Sequence, residues 1–243
     1  MMKLNSMIVM SMVLLYSTAA FSSECVILLH GLARTADSMS KLETTLEQKG
    51  YRVANIDYPS RKMKIEALAE LALTRGLDEC RLTHSYPVNF VTHSLGGILV
   101  RQYYSSHRTD NVKRVVMLGP PNNGSEVVDH LKYTPGFELL NGPAGVQLGT
   151  DDDSVPVQLG PVNFELGIIA GTKSVNLILS SFLPNPDDGK VSVESTKVEG
   201  MCSFIALAAT HPFMMNNDAV IGEVLSFLQN GKFDGEAGIN SEC

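Results

Sequence analysis

Ser94 ends a short apolar run, Phe90-Val91-Thr92-His93, and is followed at once by Leu95-Gly96-Gly97. A buried strand that runs through a serine straight into a helix forces a tight turn, which strains the serine backbone and lifts its hydroxyl clear of the sheet. Small residues two places to either side keep strand and helix from colliding. Gly96 meets that need, whereas Thr92 stands where glycine is usual. Ser94 is therefore the candidate nucleophile. A serine hydroxyl needs a base, and the base needs an acid that fixes its tautomer. Of the six histidines, His30 and His93 flank turns, while His84, His107 and His130 lie in polar stretches. His211 follows the last apolar run, on a loop where ligand and catalytic groups of an open parallel sheet gather, and is the candidate base.

Two adjacent carboxylates, Asp187 and Asp188, precede Gly189 between the last two apolar runs. Asp-Gly also favours turns for its own sake, but the chain order Ser94, Asp188, His211 is that of nucleophile, acid and base. Asp188 is the candidate acid and Asp187 the reserve. An acyl-transfer site further needs two backbone N–H donors aimed at the developing oxyanion. Leu95 follows the nucleophile, and Leu32 lies in His30-Gly31-Leu32 after the first apolar run, so these two supply the oxyanion hole, with His30 bracing its loop. This chemistry calls for no cofactor. No Cys-x-x-Cys or His-Glu-x-x-His spacing suggests a metal, and Asp151, Asp152 and Asp153, being consecutive, lack the alternation of a calcium loop.

The elements that must position these residues alternate between short β-branched runs and helix-period segments, the pattern of a parallel sheet flanked by helices. Strands are expected at 25–29, 51–56, 88–91, 112–118, 164–170 and 202–208, and helices at 39–49, 65–77, 95–106 and 220–229. Residues 133–161 are rich in Gly and Pro, show no period and read as one long loop. Its apolar members Phe137, Leu139, Leu140, Val146 and Leu148 fit either an acyl-binding wall or a packed loop, and no amphipathic helical lid stands out.

The chain has 243 residues, 44% apolar and 19% charged, which suits a single globular domain over 23–243. A net charge of −7 without a basic cluster excludes nucleic acid as a partner. Lys3, an apolar stretch and then Ser17-Thr18-Ala19-Ala20 make residues 1–22 a signal peptide, cleaved after Ala20 or Ser22. The protein is thus expected to be exported, periplasmic or secreted. The four cysteines Cys25, Cys80, Cys202 and Cys243 then point to two disulfides, for which three connectivities exist.

Leu29-His30-Gly31-Leu32, Thr92-His93-Ser94-Leu95-Gly96-Gly97, and Asp188-Gly189 followed by His211 together resemble the α/β-hydrolase superfamily, and within it small lipase- and esterase-like serine hydrolases. Gly119-Pro120-Pro121-Asn122-Asn123-Gly124-Ser125 is similar to the Pro-x-x-Gly-Ser stretch of many lipases. The resemblance implies a minimal α/β-hydrolase fold of about six mostly parallel strands, and a helix after Ser94 whose N-terminus favours the oxyanion. It also implies disulfides Cys25–Cys80 and Cys202–Cys243. The implied activity is cleavage of carboxylic esters through Ser94, His211 and Asp188. The substrate would be a small-molecule or lipid ester, with peripheral lipid contact in reach and no stable protein partner. Two other readings use the same residues: an acyltransferase, and a non-catalytic binding protein on the hydrolase fold.

Overall fold

Six apolar runs form one parallel sheet in the computed structural model, which describes residues 24–83 and 85–235. The expected signal peptide, His84 and the Cys202–Cys243 pairing fall on or involve residues outside these. The strands are β1 Cys25–Leu29, β2 Arg52–Ile56, β3 Val88–His93, β4 Val112–Leu118, β5 Leu166–Gly171 and β6 Ser203–Leu207, in the order β2-β1-β3-β4-β5-β6. The helices are α1 Ser40–Gln48, α2 Ile65–Leu82, α3 Leu95–Tyr104, α4 Glu126–Leu131, α5 Phe137–Val146, α6 Val155–Gln158, α7 Leu177–Ser180, α8 Val193–Thr196 and α9 Asp218–Asn230. The chain passes from β1 outward to β2, then returns to the other side of β1 for β3. That reversal opens a crevice beyond the carboxyl ends of β1 and β3, where an open parallel sheet binds ligands.

Strand residues alternate between two cores, as a two-residue period requires. Ile27, Leu29, Phe90 and Met117 face α2 and α3, while Val26, Leu28, Val91 and Leu118 face α1 and α9. The sheet is buried on both faces, which is why its strands read as continuous apolar runs. Helix α3 packs so closely on β1 that a Cβ at Gly96 would lie 2.5 Å from the Leu29 carbonyl oxygen, so this position requires glycine. A disulfide joins Cys25 at the start of β1 to Cys80 on α2, with the Cα atoms 5.7 Å apart, at the end of the sheet away from Ser94.

The segment 133–161 is not one irregular loop. It holds α5 and α6, and α5 is broken at Gly142, whose φ of 69° and ψ of −178° precede Pro143. That break hides the helical period. Expected strands and the longer helices sit within a few residues of their places, except that α2 continues to Leu82. Among the described residues no helix is long and apolar enough to cross a membrane.

Candidate active site

Ser94 links β3 to α3 with φ 52° and ψ −118°. Backbone in this region costs on the order of 1–3 kcal/mol and persists only where its surroundings enforce it. Here the Ser94 N–H donates to the Leu118 carbonyl of β4 (2.9 Å), and the Ser94 carbonyl accepts from Gly97 N–H (3.0 Å). Among the described residues one other non-glycine has positive φ, Ala33 at 58°, directly after Leu32. Both strained positions therefore border the same crevice. The two loops touch, since a Cβ built on Gly31 would stand 3.3 Å from the Ser94 Cβ. Neither the Leu32 nor the Leu95 N–H meets a protein acceptor among the described residues, and Leu95 opens α3, whose positive dipole end points the same way.

His211 follows β6 and begins a short 3₁₀ turn, His211–Asn216. Its Nδ1–H donates to Asp188 Oδ2 at 2.7 Å, and its backbone N–H donates to the Asp188 carbonyl at 3.0 Å. The Asp188 side chain is fully buried, and its Oδ1 accepts from the N–H groups of Lys190 (3.0 Å) and Val191 (2.9 Å). Asp187, the reserve acid, does not reach His211. Its Oδ1 accepts from Gly189 N–H (2.7 Å) and its Oδ2 from Ser180 Oγ (2.6 Å), so it shapes the turn. Ser94 and His211 both face one cavity of about 700 Å³. No hydrogen bond joins them among the described residues. Such bonds are often long before substrate arrives.

The other histidines at the crevice are held for support. His30 stacks on Tyr58 with ring centroids 4.0 Å apart, its Nδ1–H donates to Gly31 O (2.9 Å), and its Nε2 accepts from Tyr58 N–H (3.3 Å). Burial lowers its pKa, keeping it neutral and fixed beneath the Leu32 loop. His93 donates from Nε2 to the carbonyl oxygen of His211 at 2.9 Å. Its Nδ1 is consequently the unprotonated nitrogen, buried and without a partner among the described residues. Burial first, and the neighbouring His211 second, push the His93 pKa well below the ordinary imidazole value. The His211 loop is thus anchored from the Ser94 turn, a role of His93 not visible in the sequence.

Three further residues have surroundings that the sequence did not show. Gly119, at the end of β4, is so close to Asp188 and His211 that a Cβ there would lie 2.8 Å from Asp188 Oδ2. Its place before Pro120-Pro121 was the available signal. Arg101 is a buried cation without a carboxylate, its pKa lowered to about 10 by burial. It donates to Asn122 O (2.8 Å), Pro156 O (3.1 Å) and Gly160 O (2.7 Å), and Asn122 Nδ2 donates to Thr196 O (2.8 Å). These bonds tie α3 to the chain that follows Asp188. Thr92, in glycine's usual place, is fully buried between Leu29 and Met117, and its hydroxyl has no partner among the described residues.

The cavity wall beyond Ser94 is mainly apolar and includes Leu32, Val128, Phe137, Leu140 and Leu148. Phe137, Leu140 and Leu148 thus line it as an acyl wall would, whereas Leu139 is exposed and Val146 lies outside it. Among the described residues no group of three His, Cys, Asp or Glu is placed to hold a metal ion.

A family model described as palmitoyl protein thioesterase matches residues 25–153, just over half of the chain. The matched part contains the Leu32 loop and Ser94; Asp188 and His211 lie beyond it. No curated protein matches the sequence. Among solved structures, the Bacillus licheniformis lipase BlEst2 in propeptide form superposes with a TM-score of 0.66 at 19% identity, over 90% of this chain and 52% of that one. This chain therefore spans about half the length of that relative. The mature form of the same lipase gives 0.60 at 20% identity, over 86% of this chain and 90% of that one. Aspergillus fumigatus lipase B gives 0.66 at 13% identity, over 86% and 53% respectively. At such identities the likeness is one of fold: six parallel strands flanked by helices in the α/β-hydrolase arrangement.

Proposed function

The chain belongs to the palmitoyl protein thioesterase family, and on that footing we propose that it is a serine hydrolase that cleaves acyl esters through Ser94, His211 and Asp188. The observation that carries this is the 2.7 Å bond from His211 Nδ1 to the buried Asp188, beside a Ser94 whose strained turn faces the same cavity. With Nδ1 holding its proton, His211 Nε2 is free to take the Ser94 proton as Oγ attacks the acyl carbonyl carbon. The carbonyl π bond opens onto oxygen, and the Leu32 and Leu95 N–H groups receive the oxyanion. When the tetrahedral centre collapses, the bond to the leaving group breaks and His211 delivers its proton to that group. Water then attacks the acyl-serine, gives its proton to His211, and the second collapse releases free acid and restores the Ser94 hydroxyl.

The apolar wall of a cavity of about 700 Å³ supports an acyl chain as the recognised half of the substrate. Carboxylic oxyesters are the first reading. Family membership favours a second, thioesters, in which the leaving group is a thiol. The two are separated by kcat/KM for matched oxyesters and thioesters of one acyl chain, with free acid as the product measured. Both should be cleaved, and Ser94→Ala should abolish both; acid release that survives Ser94→Ala would overturn the proposal. Transfer to an added alcohol without release of acid would identify an acyltransferase. We also read the chain as exported, a reading supported by the Cys25–Cys80 disulfide, since such bonds persist in oxidising compartments.

A further inference from the structure

Seven of the ten large apolar side chains that stand exposed among the described residues lie on 133–140, on 175–178 and at 213, segments that border the cavity. Exposed apolar residues are ordinarily scattered singly, and a gathering of them marks a contact surface. Leu139, Leu177 and Ile178 are 86%, 78% and 73% exposed and are not part of the cavity wall, so enclosing an acyl chain does not account for them. Arg34 and Lys190 line the same cavity and Lys173 stands two residues before Val175, none with an ion-pair partner among the described residues. Glu138 is the one exposed acid on 133–140, 175–178 and 213, in a chain of net charge −7. A rim that is apolar and locally cationic on an acidic protein complements an anionic lipid surface. A second copy suits it less, because a two-fold contact sets the same cations against one another.

We propose that this rim docks on an anionic phospholipid bilayer, with Leu139, Leu177 and Ile178 entering the acyl region and Arg34, Lys173 and Lys190 facing the phosphates, so that the cavity opens toward the membrane. The inference rests on reading the cavity as an acyl site, but its test reads binding and not turnover. Protein carrying Ser94→Ala, which leaves the lipid unconsumed, is sedimented with phosphatidylcholine vesicles with and without phosphatidylglycerol. Binding is expected to the mixed vesicles, to weaken without phosphatidylglycerol, and to fall by at least about tenfold with Leu139→Asp, Leu177→Asp and Ile178→Asp combined, at an unchanged melting temperature. Should that variant melt early, Ile178→Ser alone is expected to weaken binding in a smaller measure. The proposal is overturned if the protein stays in the supernatant, if neither variant changes binding, or if phosphatidylglycerol makes no difference. It is equally overturned if sedimentation velocity finds a dimer that the triple variant dissociates, since a second copy would then own this face. Wild-type protein that binds the vesicles but hydrolyses no acyl ester would count against the catalytic reading alone.

Discussion

Asp188→Asn should disable the site through a tautomer and leave the fold standing. Asp188 Oδ1 accepts two backbone N–H groups, from Lys190 and Val191, while Oδ2 faces His211 Nδ1. In asparagine the amide oxygen must keep the first position, because an NH₂ there would confront two donors in a fully buried pocket. The NH₂ is then presented to His211 Nδ1, which can meet it only as an acceptor. His211 is thereby driven to the tautomer protonated at Nε2, which cannot take the Ser94 proton. Replacing the acid of such a triad by its amide costs about 10⁴-fold in kcat, or about 5 kcal/mol of transition-state stabilisation. The assay is kcat for a soluble acyl ester near neutral pH, with urea unfolding as the control for folding. Asp187→Asn is the matched comparison: it perturbs the bonds to Gly189 and Ser180 but not His211, so kcat should stay within about tenfold of wild type. Asp188→Asn retaining activity within about tenfold, or Asp187→Asn losing more than Asp188→Asn, would refute the reasoning.

Other consequences test the scaffold. Gly96→Ala forces a Cβ to 2.5 Å from the Leu29 carbonyl oxygen and should cost about 3 kcal/mol or more in denaturant unfolding, whereas Gly222→Ala on α9, with nothing within 4 Å, should stabilise by up to about 1 kcal/mol. Burial holds the His93 pKa below its unfolded value, so the unfolded chain takes up the proton first as pH falls; stability from neutral His93 is complete above about pH 6.5 and is lost below it by up to about 1.4 kcal/mol per pH unit. Urea unfolding at several pH values should show that slope reduced in His93→Gln, with His30, whose pKa burial also lowers, contributing to what remains. The Cys25–Cys80 bond closes a separation of 55 residues, so replacing both cysteines by alanine should lower the unfolding free energy by about 4 kcal/mol in the chain-entropy account.

Much of the frame was legible because buried parallel strands have few ways to be written. The runs at 25–29 and 112–118 are observed as β1 and β4 without change, and Ser94 was marked by its strand–turn–helix context. The choice between Asp187 and Asp188 was not settled by their neighbours, since both precede a glycine turn; only the fold shows which carboxylate turns toward His211. Helices α4, α6, α7 and α8 have four to six residues, too short for a 3.6-residue period to register. The Gly142-Pro143 break concealed α5 in the same way. The bond from His93 to the His211 carbonyl spans 118 residues, and the bonds of Arg101 join segments 21 to 59 residues apart. No local pattern encodes partners at that separation.

The central claim is that Ser94 is an activated nucleophile. Intact-mass measurement after treatment with a fluorophosphonate tests it directly, because the reagent reacts with a serine hydroxyl only where base and oxyanion donors assist. The account predicts one adduct per chain, mapped to Ser94 by peptide sequencing, absent from Ser94→Ala and greatly slowed in Asp188→Asn. An unlabelled, folded wild type, or an adduct that persists in Ser94→Ala, would contradict it.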